Sequence, residues 1–145
     1  MLGVVAAVSP TTYVYSHTLF TFLHYFIGMY GKLGHGNELG AATPLKVQAL
    51  SHLQVAQIAC GSRHTAIVTN TGHLYTWGDK EQGVTGHGNF NLDANNQNVQ
   101  QHQYLPRLVE RLATRPIVQI SACGFHTAVV TDNHELFTWG EGTYE

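Results

Sequence analysis

The sequence predicts an all-β fold built from repeated units, and two observations support this prediction. The stretch from Val55 to Gly78 is written a second time from Ile117 to Gly140 without a gap, so that His64 corresponds to His126, 62 positions on (126 − 64). Both copies consist of short apolar runs separated by polar residues and glycine, a pattern typical of antiparallel strands. Self-similarity at a long fixed period indicates that one supersecondary unit packs against the next copy of itself.

A second pair of segments, Gly31–Asn37 and Gly83–Asn89, repeats with an offset of 52 (83 − 31) and carries a Gly-His-Gly turn each time. The difference between the two offsets predicts an inserted loop over residues 90–104 in the second copy. We therefore predict an apolar leader over residues 1–30, outside the repeats, followed by two repeats. The first repeat covers 31–83, and the second covers 84–145 and stops before a third Gly-His-Gly turn, as expected of a fragment.

The Gly-His-Gly turn, a Cys-Gly pair, the His-Thr that opens an apolar run and the Leu-(Tyr/Phe)-Thr-Trp-Gly that closes it resemble the repeat of the RCC1 (regulator of chromosome condensation) family. The resemblance covers residues 31–145 and implies a β-propeller whose blades are four-stranded antiparallel sheets. For this chain it implies a partial propeller of about two blades packed face to face, beside an irregular leader. Propellers typically need four to eight blades, so we expect the isolated chain to be marginally stable or to self-associate.

The charge balance argues against nucleic-acid binding, and the spacing of the cysteines argues against a metal site. Seven Lys and Arg residues stand against nine Asp and Glu residues, and the basic ones are dispersed. A nucleic-acid surface needs a basic patch or stripe, so direct nucleic-acid binding is not expected. Cys60 and Cys123 have no metal-ligand spacing, and we interpret both as small buried apolar residues in a reducing compartment.

The leader, residues 1–30, contains no charged residue and leaves three interpretations open. It could be a targeting or membrane segment, although polar residues interrupt the apolar span Tyr13–Tyr30 and no basic residue precedes it. Leu19–Phe22 could be a degenerate copy of the closing strand Leu136–Trp139. The leader could also be unrelated to the repeats. We do not expect it to place the chain in a membrane.

Apolar runs and alternation predict the strands of each repeat. The first copy has predicted strands at Leu45–Leu50, Val55–Ala59, His64–Thr69 and His73–Trp77. The second has them at Arg107–Leu112, Ile117–Ser121, His126–Thr131 and Glu135–Trp139. The turn Asn70–Gly72 contains glycine, whereas Asp132–His134 does not, and we expect Asn133 to adopt the left-handed conformation there.

Ten histidines raise the hypothesis of a metal or catalytic site, but the repeat argues against it. A residue that recurs in every unit is better explained by packing of that unit than by a single site. The Gly-x-x-Gly-x-Gly turns also lack the Gly-Lys-Ser/Thr ending of a phosphate-binding loop. We predict no catalytic site, no cofactor and no metal, and a structural role for the recurring residues Gly34, His35, Gly36, His64, Trp77, Gly78, Gly86, His87, Gly88, His126, Trp139 and Gly140.

The inserted loop is the part of the chain that departs from repetition, and loops on rigid scaffolds often carry function. If it binds a partner, its anchors are Phe90, Leu92 and Tyr104, with Asp93 adding charge. The alternative is a solvated loop without a role.

The resemblance implies a regulatory or docking module in the cytoplasm or nucleus. Relatives of this kind promote guanine-nucleotide exchange on a small GTPase, or recruit proteins in HERC-type ubiquitin ligases. The alternative is a structural repeat fragment without independent activity. Fold alone does not decide between them.

Overall fold

The computed structural model describes residues 28–88 and 102–142, which form two separate antiparallel sheets joined by turns and short 3-10 helices. The predicted all-β fold of two packed sheets is confirmed. The first sheet has the order β1 (Val55–Cys60), β2 (His64–Thr69), β3 (Leu74–Asp79) and β4 (His102–Leu108). The second has the order β5 (Ile117–Cys123), β6 (His126–Thr131) and β7 (Leu136–Gly140). Most of the leader lies outside the described residues.

The fourth strand of the first sheet comes from the sequence of the second repeat. β4 includes the last three residues of the predicted insertion 90–104, which are therefore strand and not loop, and it pairs antiparallel with β3. The predicted strand Arg107–Leu112 is therefore wrong in its extent, because the strand ends at Leu108 and a 3-10 helix follows at Glu110–Leu112. A strand needs a neighbouring strand to pair with, and β4 pairs with β3 at the edge of the first sheet. The boundaries 31–83 and 84–145 describe the sequence repeat and stay a prediction.

The predicted strand Leu45–Leu50 is wrong, because its second half, Gln48–Leu50, is also a 3-10 helix. The Leu50 N–H donates to the Val47 carbonyl at 3.1 Å, and this three-residue spacing turns both side chains into the core. Leu45, by contrast, is 53% exposed. The apolar spacing that suggested alternation thus belongs to a buried turn. Val109 and Leu112 repeat the arrangement in the second copy.

The two sheets pack through β1 and β2 of the first against β5 of the second. One buried apolar cluster fills the junction and a second lies on the opposite side of the first sheet, under the turn that precedes β1. The junction cluster comprises Ala66, Val68, Leu74, Val109, Leu112, Ile117 and Val129, and the second comprises Val47, Leu50, Ile67 and Trp77.

The turns between the long strands are equivalent, but the left-handed residue is His134, with φ 64°, and not the predicted Asn133. His134 corresponds to Gly72, which has φ 81°. The His134 N–H donates to the Thr131 carbonyl at 3.0 Å, as the Gly72 N–H does to Thr69 at 2.9 Å. The register of the strands therefore fixes which turn residue takes positive φ, and it overrides the preference of Asn.

Candidate protein-binding rim

Each Gly-rich turn is fixed to its sheet by the same pair of hydrogen bonds. In the first sheet, the Thr65 hydroxyl and the Trp77 indole N–H both donate to the Lys32 carbonyl, at 2.9 and 2.8 Å. In the second, Thr127 and Trp139 both donate to the Val84 carbonyl, at 2.9 Å. The recurring tryptophans thus position the turns as well as filling the core.

Glycine is required where these turns pass the tryptophan. Gly34 has φ +76°, and a Cβ there would lie 2.8 Å from Trp77 Nε1. Gly86 is equivalent, with φ +75° and 2.9 Å to Trp139 Nε1. A larger residue would strain the backbone and displace the indole from its hydrogen bond.

Two of the four recurring histidines are held neutral by their surroundings. Burial lowers the pKa of His64 to about 4, against an opposing effect of Asp79. Burial also lowers the pKa of His87 to about 4; the Thr76 carbonyl opposes this shift, and Arg107 and Lys80 add to it. Both imidazoles therefore carry one N–H at neutral pH.

His64 connects the two sheets. Its Nε2 lies 2.7 Å from Thr127 Oγ1, and that hydroxyl already donates its hydrogen to Val84. Nε2 must therefore be the donor, which leaves Nδ1 unprotonated; it is buried and has no hydrogen-bond partner. His126, the equivalent residue of the second sheet, is exposed, and His35 is half-buried.

The insertion begins from a fixed turn. His87 Nε2 lies 3.0 Å from Thr76 Oγ1, which donates to the Thr85 carbonyl at 2.6 Å. Gly88, next in the chain, is exposed and is the last described residue before the insertion. The first end of the insertion is thus attached to the middle of β3.

The insertion ends on β4, where Tyr104 is half-buried. The Gly36 N–H donates to the Tyr104 carbonyl at 3.1 Å, and a Cβ at Gly31 would lie 2.4 Å from the Tyr104 ring. Tyr104 therefore helps to fix the second end of the insertion on the first Gly-rich turn. The other predicted anchors, Phe90, Leu92 and Asp93, lie outside the described residues, and their binding role stays a prediction.

A charged and aromatic cluster, which we call the rim cluster, lies beside this second end. The Arg63 guanidinium sits between two rings, 4.6 Å from the centroid of Tyr30 and 5.1 Å from that of Phe125. Arg63 Nη1 also contacts the buried Asp79 carboxylate at 3.2 Å. One side chain thereby joins the first turn, the first sheet and the second sheet.

His102, at the start of β4, completes the rim cluster. Its Nδ1 lies 3.4 Å from Asp79 Oδ1, in a contact without hydrogen-bond geometry, and its Nε2 lies 3.7 Å from the exposed Glu38 carboxylate. The Tyr30 ring meets the His102 ring edge to face at 5.3 Å. The members of the rim cluster are Tyr30, Glu38, Arg63, Asp79, His102 and Phe125.

The repeat-based reasoning missed this cluster because its members do not recur. Arg63 corresponds to Phe125, Asp79 to Glu141 and Tyr30 to Gln82. The Trp-Gly corner next to Asp79 does recur: Gly78 and Gly140 have φ 118° and 126°, where a Cβ would meet the Arg63 or Phe125 carbonyl. Departure from the repeat at otherwise matched positions is the signal that could have pointed to the rim.

Neither a metal centre nor a membrane-crossing helix appears in residues 28–88 and 102–142. No group of three His, Cys, Asp or Glu side chains there could hold a metal ion. No helix in that part of the chain is long and apolar enough to cross a membrane.

Comparison with protein families identifies the repeat. Two models described as Regulator of chromosome condensation (RCC1) repeat match, one over residues 55–83 and 117–145 and the other over 27–68 and 71–130. The chain belongs to the RCC1 repeat family.

The similar curated proteins are much longer than this RCC1 chain. The human E3 ubiquitin-protein ligase HERC2 is 36% identical over 117 residues, covering 79% of this chain and 2% of HERC2. The Ultraviolet-B receptor UVR8 of Arabidopsis thaliana is 33% identical over 117 residues, covering 81% of this chain and 24% of UVR8. The chain thus spans a quarter or less of these relatives.

Two solved structures share the fold. Human WBSCR16 superposes with a TM-score of 0.63 at 25% identity, over 79% of this chain and 28% of that one. Prp20p of Saccharomyces cerevisiae, described with its binding to Gsp1p and histones, gives a TM-score of 0.63 at 20% identity, over 78% and 27%. At 20% identity, the similarity to Prp20p shows a shared fold and nothing more.

Proposed function

We propose that this RCC1-repeat chain is a non-catalytic protein-binding module of the cytoplasm or nucleus, and that it binds through the rim cluster together with the insertion 90–104. The observation that carries the proposal is the convergence of non-recurring residues at the end of the insertion. Arg63 and Tyr30 are residue types that supply a large share of binding energy in protein interfaces, and both are only half-buried.

The charges of the rim cluster suit a partner that offers both signs. Glu38 is exposed and lies next to His102, while the partly exposed Arg63 is held in place by two rings and a carboxylate. A guanidinium fixed in this way loses little side-chain entropy on binding. It is therefore prepared to meet a carboxylate or carbonyl of a partner.

Two partner classes follow from the relatives. Similarity to HERC2 favours the docking part of a ubiquitin ligase, and Prp20p, with its binding to Gsp1p, motivates exchange on a small GTPase. A nucleotide-release assay with a Gsp1p-type GTPase separates them. Faster release would support exchange, and an unchanged rate would remove that option.

The binding surface is tested by capture of ubiquitin-pathway proteins on the immobilised chain. We expect capture to be lost on deletion of residues 91–100 and to weaken in Glu38→Lys. Glu110→Lys is the matched control, since Glu110 is exposed in the 3-10 helix after β4 and outside the rim cluster. Identical capture by all variants, together with no nucleotide release, would contradict the proposal and leave a structural repeat fragment.

A further inference from the structure

His102, the first residue of β4, lies between two carboxylates that belong to different parts of the fold. Its Nδ1 lies 3.4 Å from Asp79 Oδ1 of β3, and its Nε2 lies 3.7 Å from Oε1 of Glu38, which follows the first Gly-rich turn. The side chains of Asp79 and His102 are 2% and 14% exposed, whereas that of Glu38 is 46% exposed. One imidazole therefore faces a buried carboxylate on one side and an accessible one on the other.

A neutral imidazole cannot bond both of these carboxylates. It carries one N–H and one lone pair, and an ionised carboxylate only accepts hydrogen bonds. One of the two ring nitrogens must then present its lone pair to an anion. In agreement with this, the buried Nδ1 of His102 has no hydrogen-bond partner. A protonated imidazole donates from both nitrogens, and both distances are within the reach of an ion pair.

The charged groups that face His102 are Asp79, Glu38 and, from the turn between β1 and β2, Arg63. The Arg63 guanidinium contacts the other oxygen of Asp79, Oδ2, at 3.2 Å. One guanidinium and two carboxylates leave one negative charge in excess, and a protonated His102 brings this group to neutrality. Two tyrosine rings also face the imidazole, and tyrosine is uncharged near neutral pH. They are Tyr30 and Tyr104, with ring centroids at 5.3 and 6.1 Å.

We propose that His102 is a proton-operated latch. When it is protonated, it donates to Asp79 and Glu38 together, and so ties the start of β4, at the second end of the insertion, to β3 and to the first Gly-rich turn. Histidine changes its charge between about pH 5 and 8, so the latch closes as the medium becomes acidic. A closed latch occupies Glu38 and weakens its contact with a partner. This last consequence rests on the proposed function, whereas the latch itself does not.

The latch is measured without a partner, by amide hydrogen exchange of the full 145-residue chain. Wild type is compared with His102→Gln at about pH 8 and about pH 5.5, after correction for the intrinsic pH dependence of exchange. At the acidic pH, peptides from β4 and from residues 34–39 should exchange about fivefold more slowly in wild type, because only wild type gains a charged contact. At the alkaline pH the two chains should exchange alike.

Glu38→Gln separates the two halves of the latch. Residues 34–39 should then lose the slowing at acidic pH, while the start of β4 keeps it through Asp79. His52→Gln is the matched control, since His52 is exposed in the turn before β1, and it should behave as wild type. The buried His64 and His87 are the same in every variant, so their titration cancels in the comparison.

The latch is overturned if wild type and His102→Gln exchange alike at acidic pH, or if they differ equally at both pH values. It is also overturned if Glu38→Gln keeps the full effect at residues 34–39. Failure of the proposed function is a separate result, because it appears as absence of partner capture at about pH 8, where the latch is open.

Discussion

The first and second sheets share a repeated sequence pattern and the register of their first three strands, but they differ in burial. All six residues of β2 are buried, whereas β6 alternates between buried positions and more exposed ones. Likewise Ile67, Val68 and Val129 are buried, and Val130 only partly. In a stack of repeats, then, the burial of a strand depends on the neighbouring sheet more than on the strand itself.

Replacing the equivalent leucines of the two sheets by alanine should show the difference in burial most strongly. Leu74→Ala removes a side chain from the junction cluster and should lower the free energy of unfolding by about 2–5 kcal/mol. Leu136→Ala changes an exposed position and should alter it by about 0.5 kcal/mol or less. Urea unfolding at a concentration where the chain is monomeric measures both. Equal losses would contradict the assigned difference in burial.

The junction histidine should make stability depend on pH. The pKa of His64 falls from 6.5 in the unfolded chain to about 4 in the fold, so the unfolded chain binds more protons between these values. The contribution of His64 to the free energy of unfolding is therefore fully present well above pH 6.5 and is lost as the pH falls towards 4. The loss from His64 is about 3 kcal/mol at 1.36 kcal/mol per pKa unit.

The contribution of His64 is isolated by comparing variants. His64→Gln should flatten the decline in stability between pH 6.5 and 4, with His87 still contributing part of it. The same substitution at the exposed His126 is the control. If His64→Gln leaves the pH dependence of urea unfolding unchanged, the junction histidine is not the titrating group.

Replacing Thr127 should cost more stability than replacing its equivalent Thr65, because Thr127 also accepts a hydrogen bond from His64 across the junction. Thr127→Val loses the donor to Val84 and leaves the buried His64 Nε2–H without an acceptor, at a cost of about 2–4 kcal/mol for the two. Thr65→Val loses the bond to Lys32 and should cost about 1 kcal/mol. Thermal unfolding ranks the variants, and a costlier Thr65→Val would reverse the expected order.

The smallest expected effect concerns the two left-handed turn positions. His134→Gly relieves positive φ and should stabilise the chain by up to about 1 kcal/mol, since the greater entropy of unfolded glycine offsets part of the gain. Gly72→Ala should destabilise, because a Cβ there would lie 2.8 Å from Pro116 Cα. Urea midpoints of the two variants should move in opposite directions, and shifts of the same sign would argue against the assigned turn register.

Part of this fold could be predicted from sequence because it is local and written twice. The strands His64–Thr69 and His126–Thr131 occur at the predicted residues, since each apolar run begins at a recurring His-Thr. The extent of β4 could not be predicted, because its pairing edge belongs to the preceding repeat. The 3-10 helices after Val47 and Val109 could not be predicted either. Over so few residues, a strand and a 3-10 helix show the same spacing of apolar residues.

The rim cluster could not be predicted because its contacts are long-range and do not recur. Arg63 meets Tyr30 and Phe125 only when the first turn and both sheets are assembled. Of the predicted anchors in the insertion, only Tyr104 lies within the described residues. It fixes the base of the loop on the Gly-rich turn, a contact that no local pattern encodes.

Amide hydrogen exchange at the two equivalent central strands tests the central claim most directly. Peptides from β6 (His126–Thr131) should exchange faster than peptides from β2 (His64–Thr69), because all six residues of β2 are buried whereas β6 alternates between buried and more exposed positions. Equal protection of the two strands would contradict the account.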